Sequence, residues 1–239
     1  MYPHAILTNL LYPPACLLCR TPLPDSTRPL CGGCEQACPR NGPPVCAACG
    51  KELPGAFDAL LWCRACRNSP PAYEMARAPW RYAGCAAEAV QQFKYHHRWR
   101  IGRRLVEEMA AAAHASLPLD DIDAVVPVPL HWLKRRLRGF DPVEQLAGGL
   151  ARSLCRPCLP RALRRIRWTA TQTRLQGRAR RRNVRGAFAA NPQAVRGRCL
   201  LLVDDVLTSG ATAQACAEAL RRAGALRVFV LTAARTSLS

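Results

Sequence analysis

No stretch of this 239-residue chain approaches the roughly 18 consecutive apolar residues that a membrane-crossing helix needs. Its first residues, M-Y-P-H-A-I-L-T-N-L-L, carry neither a basic n-region nor a cleavage site. The expectation is a cytoplasmic protein with no membrane span. Lysine is nearly absent: Lys51, Lys94 and Lys134 stand against 32 arginines, a bias that codon usage can produce as readily as a preference for bidentate phosphate contacts. Acids are scarce too, 16 against 35 basic residues, and the net charge of +19 points to nucleic acid, phosphorylated ligands or an anionic surface without choosing among them. Between positions 145 and 203 there is no Asp or Glu while fourteen Arg occur, a block that repels itself and that an anion would order.

Cysteine, in contrast, is abundant, with 14 residues. Eight fall into Cys-x2-Cys knuckles: Cys16 and Cys19, Cys31 and Cys34, Cys46 and Cys49, Cys63 and Cys66. Each knuckle sets two thiolates on one side of a tight loop, so two knuckles complete the tetrahedron that zinc takes from soft ligands. The stretches between them are rich in Pro, Gly and Ala, so metal replaces a core that residues 1–70 lack, and without zinc this segment is not expected to fold. A disulfide scaffold would need an oxidising compartment. The spacing leaves sequential and interleaved pairing open. Cys38 falls outside both sets as a free thiol, and Cys155 and Cys158 repeat the knuckle without a partner pair.

Near Asn68-Ser69-Pro70-Pro71 the cysteine pattern stops, and a second domain is expected over 71–239, with 49% hydrophobic residues overall to build its core. Residues 73–82 read as a strand region, 86–95 as a helix, and 101–115 as an amphipathic helix with Ile101, Leu105 and Met109 on one face. His96-His97 is read as surface, since helical neighbours point about 100° apart. Residues 122–128 form a buried-strand pattern, followed by a basic loop at 131–140 that sits where open α/β sheets bind ligands. Residues 184–188 are expected to return to the sheet, and 226–232 to form a last strand.

The richest segment is C-L-L-L-V-D-D-V-L-T-S-G-A-T, residues 199–212. Leu200, Leu201, Leu202 and Val203 read as a buried parallel strand that delivers Asp204 and Asp205 to its carboxyl end. Adjacent carboxylates cannot be buried without partners, so they should face a cleft holding ribose hydroxyls or a metal. Thr208, Ser209, Gly210, Ala211 and Thr212 then open a helix, through about Arg222, with Gly224 as its C-cap. Backbone N–H groups and small hydroxyls at that terminus make an anion site, and acids for sugar beside a turn for phosphate suit a ribose 5-phosphate.

These residues resemble the phosphoribosyl pyrophosphate (PRPP) motif of the type I phosphoribosyltransferases. Together with the knuckles, V-P-V-P-L with R-x-x-R-G-F, and T-x-T-Q-x-x-L…R-x-x-N-x-x-x-A-F, the whole chain resembles the ComF family, in its ComFC and GntX branch. The expected fold class is α/β, a type I phosphoribosyltransferase-like parallel sheet flanked by helices with a small N-terminal double zinc ribbon. The family typically reads R-G-F-N-Q where this chain has Arg138-Gly139-Phe140-Asp141-Pro142, and an ionised Asp141 cannot donate as an amide does.

The resemblance implies Mg2+-dependent transfer of phosphoribosyl from PRPP with release of pyrophosphate. Asp204 and Asp205 would hold the ribose and, through water, the metal; residues 208–212 would fix the 5-phosphate. Arg135, Arg136 or Arg138 would neutralise pyrophosphate, while Arg178, Arg180 and Arg182 would close over it from a flexible arm. The acceptor is not legible. The same resemblance implies natural competence, with transforming DNA as ligand and a DNA-translocating ATPase as partner. Lys94, Tyr95, Arg98, Trp99 and Arg100, Trp132 with its basic neighbours, and Arg167 with Trp168 offer the mixture of charge and aromatic rings that single-stranded DNA takes. A PRPP-sensing regulator without turnover is a third reading.

Overall fold

The computed structural model describes residues 13–25, 27–55, 61–96, 98–130, 140–167 and 184–237. After two cysteine-rich loops that include the short helices α1 (Gly32–Ala37) and α2 (Arg64–Asn68), the chain runs through β1 (Met75–Arg77), β2 (Trp80–Arg81), α3 (Gly84–His96) and α4 (Trp99–Ser116). It continues with β3 (Ala124–Pro127), α5 (Pro142–Ser153), β4 (Leu163–Arg165), β5 (Phe188–Ala190) and α6 (Pro192–Val195). The last elements are β6 (Cys199–Leu207), α7 (Ala211–Arg222) and β7 (Arg227–Arg235). The main sheet has the order β1-β7-β6-β3, with β2 also pairing β7, and every pairing in it is parallel. No helix among the described residues is long and apolar enough to cross a membrane.

Both faces of the sheet are covered, which explains why its central strands are continuous hydrophobic runs. Leu201, Val203, Phe229 and Leu231 pack in one cluster with Phe93, Ile101, Leu105, Met109 and Leu146 of α3, α4 and α5. Leu200, Leu202, Val228 and Val230 pack in the other with Cys216, Ala217 and Leu220 of α7 and with Leu163 and Phe188. The face expected on α4 is the one buried. Residues 200–203 are fully buried. At roughly 1.5–3 kcal/mol for each such side chain, they anchor the strand that carries the two acids.

Residues 184–188 do not return to the main sheet. β5 instead pairs antiparallel with β4 in a sheet of its own. The outer edge of β3 is already occupied, since Val125 N–H donates to Pro157 O at 2.9 Å and Leu159 N–H to Val125 O at 2.8 Å. Asn191, whose side chain caps α6 ahead of Pro192, ends β5 after three residues.

The cysteine-rich segment lies directly against the β1 edge. Ala76 N–H donates to Ala48 O at 2.7 Å, Arg81 N–H to Pro39 O and Asn41 N–H to Pro79 O at 2.9 Å. Gly50, at φ +68°, comes so close that a Cβ there would lie 2.4 Å from Ala76 O. Glu108 of α4 is buried and bonds both Arg40, which follows the first knuckle pair, and Arg104.

Candidate functional site

The two acids occupy a break in the sheet. β3 ends where Pro127 pairs with Val203, whereas β6 continues beside β7, pairing Asp204 with Thr232, Val206 with Ala234 and Leu207 with Arg235. Asp204 and Asp205 therefore lie inside a strand longer than the expected 200–203, because β7 extends alongside it. They still emerge in the crevice left where β3 stops, the position at which open parallel sheets bind ligands.

Successive strand residues point to opposite faces, so the two carboxylates meet different surroundings. Asp205 faces α3, where Lys94 Nζ lies 2.8 Å from its Oδ1, the side chains being 18% and 15% exposed. Asp204 accepts the Asp205 N–H at 2.9 Å. Burial, then the charge of Asp205 and, more weakly, that of Asp141, push the Asp204 carboxyl up to about 8, against the pull of Lys94 and the Asp205 N–H. Burial alone would pull the Lys94 ammonium down, but Asp205, its hydrogen bond and Asp204 outweigh it and hold the group above the ordinary lysine value. The partner that buried acids demand is thus Lys94.

The sequence groups Lys94 with aromatic residues as a contact for DNA. Its location has a sequence signal: it follows the buried Ala86 and Val90 at four-residue steps on α3, and it is one of three lysines in an arginine-rich chain. Of the same group, Tyr95 and Trp99 are 59% and 46% exposed, and Trp99 meets Phe140 edge-on at 5.3 Å between centroids.

The turn after β6 has the expected form. Gly210, at φ +75°, is the N-cap residue of α7, Gln214 N–H donates to its carbonyl at 2.8 Å, and Ala211 N–H lies 3.4 Å from Ser209 Oγ. The first-turn N–H groups of a helix have no intrahelical acceptor, and α7 carries no acid in that turn. An anion therefore meets free donors and the positive end of the helix dipole. Thr208, Ser209, Gly210 and Thr212 are partly exposed beside the crevice. Asp141, the departure from the family pattern, is the N-cap of α5: its Oδ1 accepts from Val143 N–H at 3.0 Å and Glu144 N–H at 3.2 Å, and Pro142 fills the first helical position. Arg135, Arg136, Arg138, Arg178, Arg180 and Arg182 lie outside the described residues, as do Trp132 and Trp168.

The cysteines assemble sequentially. The sulfurs of Cys16, Cys19, Cys31 and Cys34 lie within 4.8 Å of one another, and those of Cys46, Cys49, Cys63 and Cys66 form a second such group. Bonds of about 2.3 Å to one zinc ion separate tetrahedral sulfurs by about 3.8 Å. Cys19 to Cys31 is 3.5 Å and Cys49 to Cys63 is 3.8 Å. Cys46 Sγ also accepts N–H bonds from Cys63 at 3.2 Å and Cys49 at 3.5 Å, which favour the thiolate. The residues present fit two structural zinc ions. No described cysteine is in a disulfide, and Cys38 lies outside both groups against the sulfur of Cys85.

A family model described as a double zinc ribbon domain matches residues 7–67. The chain is 35% identical over 231 residues to DNA utilization protein YhgH of Salmonella typhimurium, covering 95% of this chain and 99% of that protein. It is 28% identical to competence protein F of Haemophilus influenzae, covering 92% and 96%. Among solved structures, a glutamine PRPP amidotransferase from B. subtilis is similar over 59% of this chain and 30% of its own, at 24% identity and TM-score 0.40. An adenine phosphoribosyltransferase is similar over 60% and 84%, at 16% identity and TM-score 0.38. With paired cysteine knuckles at one end, V-D-D-V-L-T-S-G-A-T at the other and relatives matched end to end, the chain belongs to the ComF family.

Proposed function

We propose that this protein serves DNA uptake or utilisation, as the names of its relatives say of them, through a domain over 71–239 that binds PRPP with Mg2+ and transfers its phosphoribosyl group with release of pyrophosphate. The observation that carries the reading is the pair Asp204 and Asp205 in the crevice beside an anion-ready turn. Residues 1–70 form the ribbon domain in this reading, and its two zinc ions are structural.

The described residues bind and position. The turn from Thr208 to Thr212 takes the 5-phosphate on its N–H groups and hydroxyls. Asp204 and Asp205 accept from the ribose hydroxyls, and the ion pair with Lys94 fixes the direction of Asp205. Carboxylate oxygens are the hard donors that Mg2+ takes, and the ion would neutralise the pyrophosphate as it leaves. At C1 the bond to pyrophosphate breaks as the acceptor's nucleophile bonds to the same carbon, through a state with oxocarbenium character that the negative acids favour electrostatically. The arginines at 135, 136, 138, 178, 180 and 182 complete the reading as pyrophosphate contacts.

The test is a titration of PRPP and Mg2+ into zinc-loaded protein, following heat and free pyrophosphate, beside Asp204→Asn. This single variant is preferable to one that also changes Asp205, because removing Asp205 strands the buried Lys94. Heat that is lost in the variant supports PRPP at these acids, and pyrophosphate release by the wild type makes the protein an enzyme. Binding without release under any acceptor tried leaves a PRPP sensor, and no heat overturns the assignment.

A second reading is favoured by the exposed Tyr95 and Trp99 and by a 400 Å3 cleft lined by Arg28, Arg100, Arg103 and Arg104 together with Glu35 and Glu107: a single DNA strand crossing this surface, with a translocating ATPase as partner. Its affinity should fall steeply between about 50 and 200 mM salt, whereas the Mg-PRPP heat should change much less.

A further inference from the structure

The residue that completes the phosphate site comes from outside the PRPP motif. Tyr73 precedes β1, is 6% exposed, and packs in the cluster that holds Leu207 and Ala211 at either end of the turn. Its hydroxyl lies against Gly210, 3.4 Å from where a Cβ would stand. It has no hydrogen-bond partner among the described residues. The ring is buried while the hydroxyl oxygen stays open beside an anion-ready turn, so the phenol is placed to donate to a ligand held there.

The segment is held in place for that purpose. Ala72 N–H donates to Gln214 Oε1 in the first turn of α7 at 2.8 Å, and Glu74 N–H donates to Val228 O at 2.8 Å. Tyr73 is thereby tied to the same helix whose N-terminus faces the anion. Each of a phosphate's three terminal oxygens can accept two or more hydrogen bonds, more in total than the N–H groups of one helix turn supply, so side-chain donors complete the shell around it. Thr208, Ser209 and Thr212 supply hydroxyls from the motif, and Tyr73 approaches from the neighbouring strand.

We propose that the Tyr73 hydroxyl donates a hydrogen bond to the 5-phosphate of the ligand held at the turn from Thr208 to Thr212. The proposal rests on the PRPP reading above. It deepens that reading by making the phosphate site a joint product of the motif and the segment that leaves the zinc ribbon.

The experiment is calorimetric titration of ribose 5-phosphate into the zinc-loaded full chain, as wild type, Tyr73→Phe and Asp204→Asn, with thermal unfolding of each. Tyr73→Phe removes one oxygen from a site that holds the ring, so its melting temperature should stay near that of the wild type. A hydrogen bond to a charged oxygen supports roughly a tenfold or larger loss of affinity in this variant. Wild-type affinity in Tyr73→Phe, with binding lost in Asp204→Asn, overturns the role of Tyr73 and leaves the PRPP reading standing. Absence of binding by the wild type removes that reading and this inference together.

Discussion

At the residue scale, Asp204 and Lys94 carry the unusual electrostatics. Burial, then the charge of Asp205, raises the Asp204 carboxyl from 3.8 to about 8 on folding. A group raised in this way contributes stability that is fully present below about pH 4 and lost as pH climbs through about 8. The melting temperature of the wild type should therefore fall between pH 6 and 9 relative to that of Asp204→Asn, whose amide does not titrate. Parallel curves for the two proteins would mean that Asp204 is not raised. Lys94→Met leaves Asp205 without its cation. Because the pair is 18% and 15% exposed, the expected loss is about 2–3 kcal/mol in urea unfolding, short of the cost for a fully enclosed pair.

At the scale of elements, the helix ends set the crevice. Asp141 caps α5 with its Oδ1, so Asp141→Ala should cost about 1 kcal/mol, while Asp141→Asn keeps an acceptor and most of that stability. The Asn variant also removes a negative charge that raises Asp204, so the Asp204 carboxyl should titrate lower, as carbon-detected NMR of the side chain would report. Gly210 holds a left-handed φ of +75°, and Gly210→Ala imposes roughly 1–2 kcal/mol of backbone strain. The new Cβ would also touch the Tyr73 hydroxyl. Weakened phosphate binding at nearly unchanged helix content is the expected result, measured by titration and circular dichroism.

At the scale of the whole molecule, the cysteine ribbon and the sheet are bonded together along β1. Arg235, buried at the end of β7, donates to Cys49 O at 2.6 Å, with its other nitrogen 3.5 Å from Cys49 Sγ. Arg77 donates to Ala47 O at 3.1 Å. Two cations thus meet a cluster of four thiolates, whose charge exceeds that of the one zinc ion it fits. The apolar nuclei of the ribbon consist largely of the cysteines themselves with Leu23, Leu30 and Ala48, too little to fold without metal. A strong chelator should release two zinc ions per chain, unfold the segment before residue 70, and weaken ribose 5-phosphate binding as the Tyr73 segment loses its support. Retained phosphate binding after complete zinc loss would show that the sheet holds Tyr73 unaided.

The amino-acid sequence by itself determined the local features: the knuckles, the hydrophobic run of β6, the Gly-containing turn and the amphipathic face of α4. These are legible because periodicity, turn chemistry and ligand spacing act over a few neighbouring residues. Only the tertiary structure decided what meets across the chain. It paired the cysteine knuckles sequentially, set Lys94 on Asp205, brought Tyr73 to Gly210, made Asp141 a helix cap, and diverted β5 to β4 because the β3 edge was already taken. Lys94 and Asp205 are 111 positions apart and Tyr73 and Gly210 are 137 apart, so the contacts that complete the site depend on parallel strands joined by helical crossovers, which no local pattern records.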